Sequence, residues 1–240
     1  ELMVKEIPVW YWRVRMVREL QQEELRVWIN PEGKLAGVDH DFENDKAMPS
    51  LTHKQAEKFA REFVEKDTGN SLDGYDLIKD EESQKPKRKD HSFTFEDTKK
   101  DYKGAKMRVF VGVAGNKIES YNRYLHVPES FERKFADIRS YNKMLAQIAQ
   151  IFMTLLMIVS VFAFGWAVMT GNIRWFPVIV IAFIFTFVPF LDGINNFNEL
   201  VDGYDTSITY SSFVTTELIR MLIMLVPGTF GAVVMFGAAE

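Results

Sequence analysis

IFMTLLMIVSVFAFGWAVM, residues Ile151–Met169, runs for nineteen residues without a charge, and two later stretches repeat the pattern: WFPVIVIAFIFTFVPFL at Trp175–Leu191 and MLIMLVPGTFGAVVMFGAA at Met221–Ala239. A helix rises ~1.5 Å per residue, so each run is close to the ~30 Å hydrocarbon core of a bilayer. A soluble helix of such length needs a polar stripe every ~3.6 residues, whereas Thr154, Ser160, Thr186 and Thr229 are scattered. A chain of 240 residues could hardly surround three such helices on every face, which disfavours a buried helical core. Three transmembrane helices follow, at about 149–170, 174–191 and 218–239. Their C-terminal position excludes a signal peptide.

The rest of the chain has a different composition. Residues 1–142 hold 26 of the 29 Lys and Arg and 27 of the 33 Asp and Glu, so they are charged, near neutral and long enough for one domain with its own core. No basic excess remains to argue for nucleic acid. The absence of cysteine rules out disulfides and thiolate metal sites. The chain begins at Glu1 without an initiator Met and ends at Glu240 directly after an apolar run, which reads as a piece cut from a longer protein.

Within residues 1–142, Val9–Val17 (VWYWRVRMV) alternates apolar and basic residues as a half-buried strand does. Strands at Glu24–Asn30 and Lys34–His40 flank the turn Asn30-Pro31-Glu32-Gly33, giving an antiparallel meander. Thr52 with Gln55 reads as a capping box. It opens a helix whose apolar face is Ala56, Phe59, Ala60, Phe63 and Val64 and which ends before Gly69, with Phe59 central and Glu62 opposite. Strands are expected at Tyr75–Lys79 and His91–Glu96, separated by a solvated, charge-dense loop from Asp80 to Asp90, and a hairpin at Lys106–Val113 and Lys117–Leu125. Arg26-Val27-Trp28-Ile29 with Gly33, Leu35 and Val38 matches Arg108-Val109-Phe110-Val111 with Gly115, Ile118 and Tyr121. The match suggests two copies of one helix-plus-sheet unit, the first without its helix. Glu129–Asn142 reads as a helix with Phe131, Phe135 and Ile138 on one side, running into the first span.

No constellation in the chain carries an evident chemistry. His40, His53, His91 and His126 lack metal-ligand spacing, no Gly-x-Ser-x-Gly occurs, and there is no glycine-rich phosphate loop. The acidic loop Asp192–Glu217, with Asp192, Asn195, Asn196, Asn198, Glu199, Asp202 and Asp205, offers oxygen ligands without EF-hand spacing and reads as solvated. Glu217 and Arg220, at the start of the third span, are spaced to pair on one helical face. Tyr141, Trp166, Trp175 and Tyr210 suit a membrane interface and need no cofactor. No catalytic, cofactor-binding or metal-ligating residue is assigned.

YWRVRMVRELQQEELRVWINPEGKLAGVDH at Tyr11–His40, DHSFTFE at Asp90–Glu96, RVFVGVAGNKIESYNRYLHVPESFER at Arg108–Arg133 and NFNELVDGYDTSITYSSF at Asn196–Phe213 resemble the N-terminal portion of bacterial CPBP-family proteins, related to CAAX-prenyl proteases and bacteriocin-processing enzymes. The resemblance implies a PepSY-like soluble region before a multi-span domain that acts as a glutamate-type intramembrane endopeptidase. The Glu-Glu-x-x-x-Arg motif of that family is absent from this chain, since Glu217-Leu218-Ile219-Arg220 lacks the paired glutamate, so the motif is expected beyond Glu240.

The expected fold class is therefore α+β. An antiparallel sheet-plus-helix extramembrane domain at 1–142 is followed by an all-α membrane block of three transmembrane helices at 143–240. Two functions compete: a membrane endopeptidase with a peptide or protein substrate, implied by the resemblance, and a non-enzymatic membrane sensor or assembly protein with a peptide-binding module. The bilayer is the other expected partner. Arg133, Lys134, Arg139 and Lys143 before the first span favour a cytoplasmic domain, while the absence of Lys and Arg from Asp192–Glu217 points the other way. The family resemblance favours an extracytoplasmic domain.

Overall fold

The computed structural model of the chain describes residues 10–239, which form two compact units dividing between Glu132 and Arg133. The first holds β1 (Trp12–Val17), β2 (Glu24–Ile29), β3 (Leu35–Asp41), α1 (His53–Asp67), β4 (Tyr75–Lys85), β5 (Arg88–Asp97), β6 (Lys106–Ala114) and β7 (Lys117–His126). Of the strand expected at Val9–Val17, Val9 lies outside the described residues. All seven strands form one antiparallel sheet in the order β1-β2-β3-β7-β6-β5-β4, so the fold is α+β, as expected.

Strand register explains where the core sits. Val14, Val27, Val38, Tyr121, Val111 and Phe93 stand opposite one another in turn across six strands, and directly opposed residues share a face. Helix α1 covers the β5–β7 half of that face, burying Ala56, Ala60 and Val64 against Phe93, Phe95, Val109, Val111, Val113 and Tyr121. The helix opens as its sequence implies, with the Gln55 side chain accepting from the Thr52 backbone N–H at 3.0 Å. It ends at Thr68, after which Gly69 takes a left-handed φ of 67°. Over β1 the corresponding face lacks such a cover among the described residues, and Trp12, Val14 and Met16 are exposed.

Three expectations are corrected. Phe59 is not central: the row Ala56, Ala60, Val64 lies deepest and Phe59 packs half-buried at its flank. Asp80–Asp90 is not a solvated loop, because β4 and β5 pair all the way to Lys85↔Arg88 around a turn at Pro86 and Lys87. Opposite charges meet across that hairpin, as in Lys89–Glu82 at 2.6 Å, while Arg88 and Asp90 are buried as an ion pair at 3.0 Å. Arg88 Nη1 also donates to the Glu43 carbonyl at 2.6 Å, and Asp90 accepts from the Gly115 N–H at 3.1 Å, so the pair ties the 42–51 segment to the hairpin ends. Finally, the internal repeat is real in the second strand of each hairpin but slipped in the first. Val38 opposes Val27 while its counterpart Tyr121 opposes Val111, not Val109. The slip of two residues keeps every side chain on its face, and it arises because the turns differ in length: Ile29↔Leu35 closes one, Ala114↔Lys117 the other.

The second unit is helical. Helix α2 (Glu129–Thr170) is continuous from the expected amphipathic segment through the first apolar run, α3 (Trp175–Asn195) and α5 (Tyr210–Gly237) follow, and a short α4 (Phe197–Asp202) lies between them. α2, α3 and α5 are long and apolar enough to cross a membrane. The loop expected at Asp192–Glu217 is mostly folded, since α3 runs to Asn195 and α5 starts at Tyr210, with Thr209 Oγ1 accepting from the Ser212 N–H at 3.3 Å. Helices α3 and α5 approach closely where a Cβ on Gly228 would lie 3.5 Å from Thr186 Cγ2, a small-residue contact of the kind that lets helices associate in lipid. The sparse hydroxyls satisfy themselves along their own helices: Thr154 donates to the Gln150 carbonyl, Thr186 to Ala182 and Thr229 to Leu225, at 2.7–2.8 Å.

Val64→Asp is expected to unfold the first unit, since an unpaired carboxylate would replace a fully buried methyl pair and cost several kcal/mol against a typical stability of ~5–15. Phe59→Asp should cost clearly less. Urea unfolding of both variants, followed by far-ultraviolet circular dichroism, tests the order, and equal midpoints would refute it.

Candidate functional site: a wedge between the two hairpins

The β2–β3 and β6–β7 hairpins join through only three cross-strand pairs, Gly37↔Asn122, Val38↔Tyr121 and Asp39↔Ser120. Exchanging the two hairpins maps this set onto itself, with Val38 and Tyr121 on the pseudo-twofold axis. Beyond Asn122 the ladder stops, although β7 continues to His126 and β3 reaches back to Leu35. The strands diverge there into a wedge of about 800 Å³. One edge of β7 therefore lacks a strand partner from Arg123 onward among the described residues.

The walls come from both faces of the sheet. Trp28, Gly37, Asn122 and Phe110 form a row on the face away from α1, and all four line the wedge. Gly37 lets the strand pass close to the Trp28 ring, since a Cβ would sit a tight 3.2 Å from it. On the α1 side the lining is Thr68, Asn70, Tyr121 and Arg123. Asn70 Nδ2 donates to Thr68 Oγ1 at 2.9 Å and to the Tyr121 hydroxyl at 3.1 Å, while its Oδ1 accepts from Arg123 Nη1 at 3.1 Å. Behind them, burial pushes the Tyr75 phenol above its ordinary value; the Arg123 guanidinium pulls it back and Asp97 adds to the rise. Glu32, Lys34 and Asp39 stand at the β3 side, Asp39 bonded to Arg26 at 2.9 Å.

Carboxylates around this framework titrate in opposite directions. Burial raises Glu119, beside Ser120, with the Asp90 charge adding and Arg88 and Lys85 opposing. Burial also pushes Glu96 upward, but hydrogen bonds from Lys106 and Arg108 outweigh it and hold its carboxyl below the usual range.

Residues singled out from sequence lie elsewhere. His40 Nε2 meets Glu23 at 3.0 Å, His53 Nε2 meets Asp80 at 2.7 Å, and His91 Nε2 donates to the Leu51 carbonyl at 3.1 Å. The fold brings His53 and His91 together, with ring centroids 6.1 Å apart and Phe93 of β5 edge-on to His53 at 5.5 Å, yet among the described residues no group of three or more His, Asp and Glu could hold a metal. His126 ends β7 and is exposed. Glu217 and Arg220 do pair on one turn of α5, inside the helix rather than at its start. The acidic segment is organised by Tyr204, which is buried against Phe213 and donates to the Ile208 carbonyl at 2.5 Å. Trp175 meets Phe164 edge-on at 6.3 Å. The wedge escaped the sequence reading because it depends on where a long-range ladder ends; the one local hint was Gly37 within a strand.

Residues 5–124 match the family model described as the YcdB, YcdC repeated domain, which spans half of the chain and covers the sheet as far as the last turn of β7 pairing. The chain belongs to that family. No curated protein and no solved structure gave a significant match.

Glu119→Gln is expected to raise the thermal midpoint at pH 7 and leave it unchanged near pH 3. A carboxyl whose folded pKa is raised contributes stability only below its unfolded pKa and loses it as pH climbs through the folded value, and the amide removes that loss. Glu96→Gln should do the reverse: its depressed pKa gives stability above the unfolded value, which disappears as pH falls. Melting curves across pH 3–8 separate the two signs.

Proposed function

We propose that the sheet domain is a peptide-binding module on a multi-pass membrane protein, with an extended peptide seated in the wedge along the open edge of β7. One observation carries this: the β3–β7 ladder stops after three pairs while β7 continues, leaving backbone donors and acceptors exposed inside a walled gap. An extended segment pairs with such an edge through main-chain hydrogen bonds, and pockets for alternate side chains give selectivity. Trp28 and Phe110 supply the apolar wall on one side. The volume suits a few residues of strand and a drug-sized ligand alike, but the strand edge favours the peptide. The endopeptidase implied by the CPBP resemblance rests on that resemblance alone. Binding is assigned to this part of the protein on the strength of the walled strand edge.

Full chain in detergent should bind fluorescent hexapeptides of alternating Thr and Val, and Phe110→Ala should weaken them by about tenfold, the effect of losing an interface aromatic. Absence of any binding at about 1 mM, a threshold of negligible affinity, removes the proposal.

On the same proposal the module and the segment before α5 lie outside the cytoplasm, a reading supported by the absence of Lys and Arg from Asp192–Glu217. Because the chain has no cysteine, Lys87→Cys, Ser207→Cys and Asn172→Cys each give one thiol. In intact cells a membrane-impermeant maleimide should label the first two and spare Asn172→Cys. The inverse pattern reverses the orientation, and equal labelling of all three removes the multi-pass reading.

A further inference from the structure

Arginines in closed surroundings of this domain carry a carboxylate partner: Arg88 has Asp90 at 3.0 Å, Arg26 has Asp39 at 2.9 Å and Arg108 has Glu96 at 2.7 Å. Arg123 differs. Its Nη1 donates to the neutral amide oxygen of Asn70 at 3.1 Å, its other neighbour is the neutral phenol of Tyr75, and its Nε is buried with no acceptor. The acid acting on the same phenol, Asp97, accepts from the backbone N–H groups of Lys99 at 2.8 Å and Lys100 at 3.3 Å. Of the acids that line the wedge, Asp39 is taken by Arg26, and Glu32 sits in the β2–β3 turn, on the opposite wall.

A guanidinium donates in a planar fork, and Nε with one Nη is the pair that receives the two oxygens of a carboxylate. Arg123 lines the wedge opposite Val109 on the α1 side of β7, at the point where pairing with β3 has ceased, with its Nε recessed beneath the surface. A buried donor without an acceptor is rare in a native protein and calls for a partner, which an ordered water or a ligand oxygen can supply. Asn70 holds the guanidinium from one side and is itself fixed by Thr68 and Tyr121, so the fork is held before any ligand arrives.

We infer that Arg123 is the anchor for a carboxylate of the bound peptide, supplied by either a free C-terminus or an acidic side chain. The inference rests on the peptide-binding reading of the wedge and adds the class of peptide it selects. Both carboxylate sources present the same two charged oxygens to the fork, whereas the amide of a neutral twin offers one uncharged oxygen.

Four fluorescein-labelled peptides test it on the full chain in non-ionic detergent: Thr-Val-Thr-Val-Thr-Val as free acid and as amide, and Thr-Val-Thr-Val-Thr with a terminal Glu amide or Gln amide. Anisotropy should show a charged member of at least one pair binding ~10- to 100-fold tighter than its neutral twin, the range for a charge-assisted contact. Preference for the free acid identifies the C-terminus as the source, and preference for Glu over Gln identifies the side chain. In Arg123→Gln the charged and neutral twins should bind equally, while Arg123→Lys keeps part of the preference. If twins bind equally to the native protein, or the preference survives in Arg123→Gln, the anchor is wrong and the wedge reading stands; if no peptide binds, both fall. Should Arg123→Gln fail to fold, phenylglyoxal modification of the native protein decides, read by mass spectrometry. The charged twin should protect Arg123 and the neutral twin should not, and equal protection overturns the inference.

Discussion

Three cross-strand pairs around Val38 and Tyr121 hold the two halves of the sheet together, and the rest of the domain follows from how short that junction is. Each hairpin is long and regular on its own side, but its bulge, at Trp28/Ile29 in one and Gly112/Val113 in the other, increases local twist. Two twisted hairpins meeting edge to edge can stay in register only briefly before they diverge. The wedge is the geometric remainder of that divergence. Tyr121 serves both sides of the junction, packing under Phe63 with ring centroids 5.6 Å apart while its hydroxyl steadies Asn70.

Burial elsewhere is distributed to support the same junction. Helix α1 packs chiefly over β5–β7, with Val38 of β3 at the margin of that core, so among the described residues the second repeat carries the core and the first joins it through the shared strand pair. The Arg88–Asp90 pair would be a poor source of stability if exchanged for apolar residues of equal volume. Breaking it by removing one partner is costly, because the other charge stays buried. Its contacts to the Glu43 and Gly115 backbones show what it contributes, a fixed path for the chain between β3 and α1. That path brings Met48 and Phe42 against Ala114 as a small second cluster.

Local chemistry was readable and long-range chemistry was not. Thr52 with Gln55 announced a helix start, Gly33 a turn that indeed takes φ of 78°, and the uncharged runs the three long helices. Each of these signals is complete within a few residues. Asp80–Asp90 misled because charge density on one strand is neutralised only by the strand it pairs with, which a linear reading does not show. The start of α5 at Tyr210 was missed because Thr209 caps a polar turn well before the apolar run begins. The repeat was visible at Val38 and Tyr121 and slipped at Val27, where an unequal turn length shifts one strand against its counterpart without changing its face. Arg123 looked like any surface arginine on an alternating strand; its closed surroundings come from Asn70 and Tyr75, far away in sequence.

The outer edge at β4 has a consequence for how such molecules coexist. Asp76, Lys79, Asp80, Glu81 and Glu82 crowd the last strand of the sheet, and a register shift at Leu77/Lys79 interrupts its edge. The proposed tether would confine copies of this domain to two dimensions, where unpaired strands collide far more often than in free solution. A flat, uncharged edge under that confinement would polymerise from one copy to the next. A kinked β4 edge crowded with charged side chains is instead a poor template for the strand of a second copy, a safeguard against pairing along the membrane.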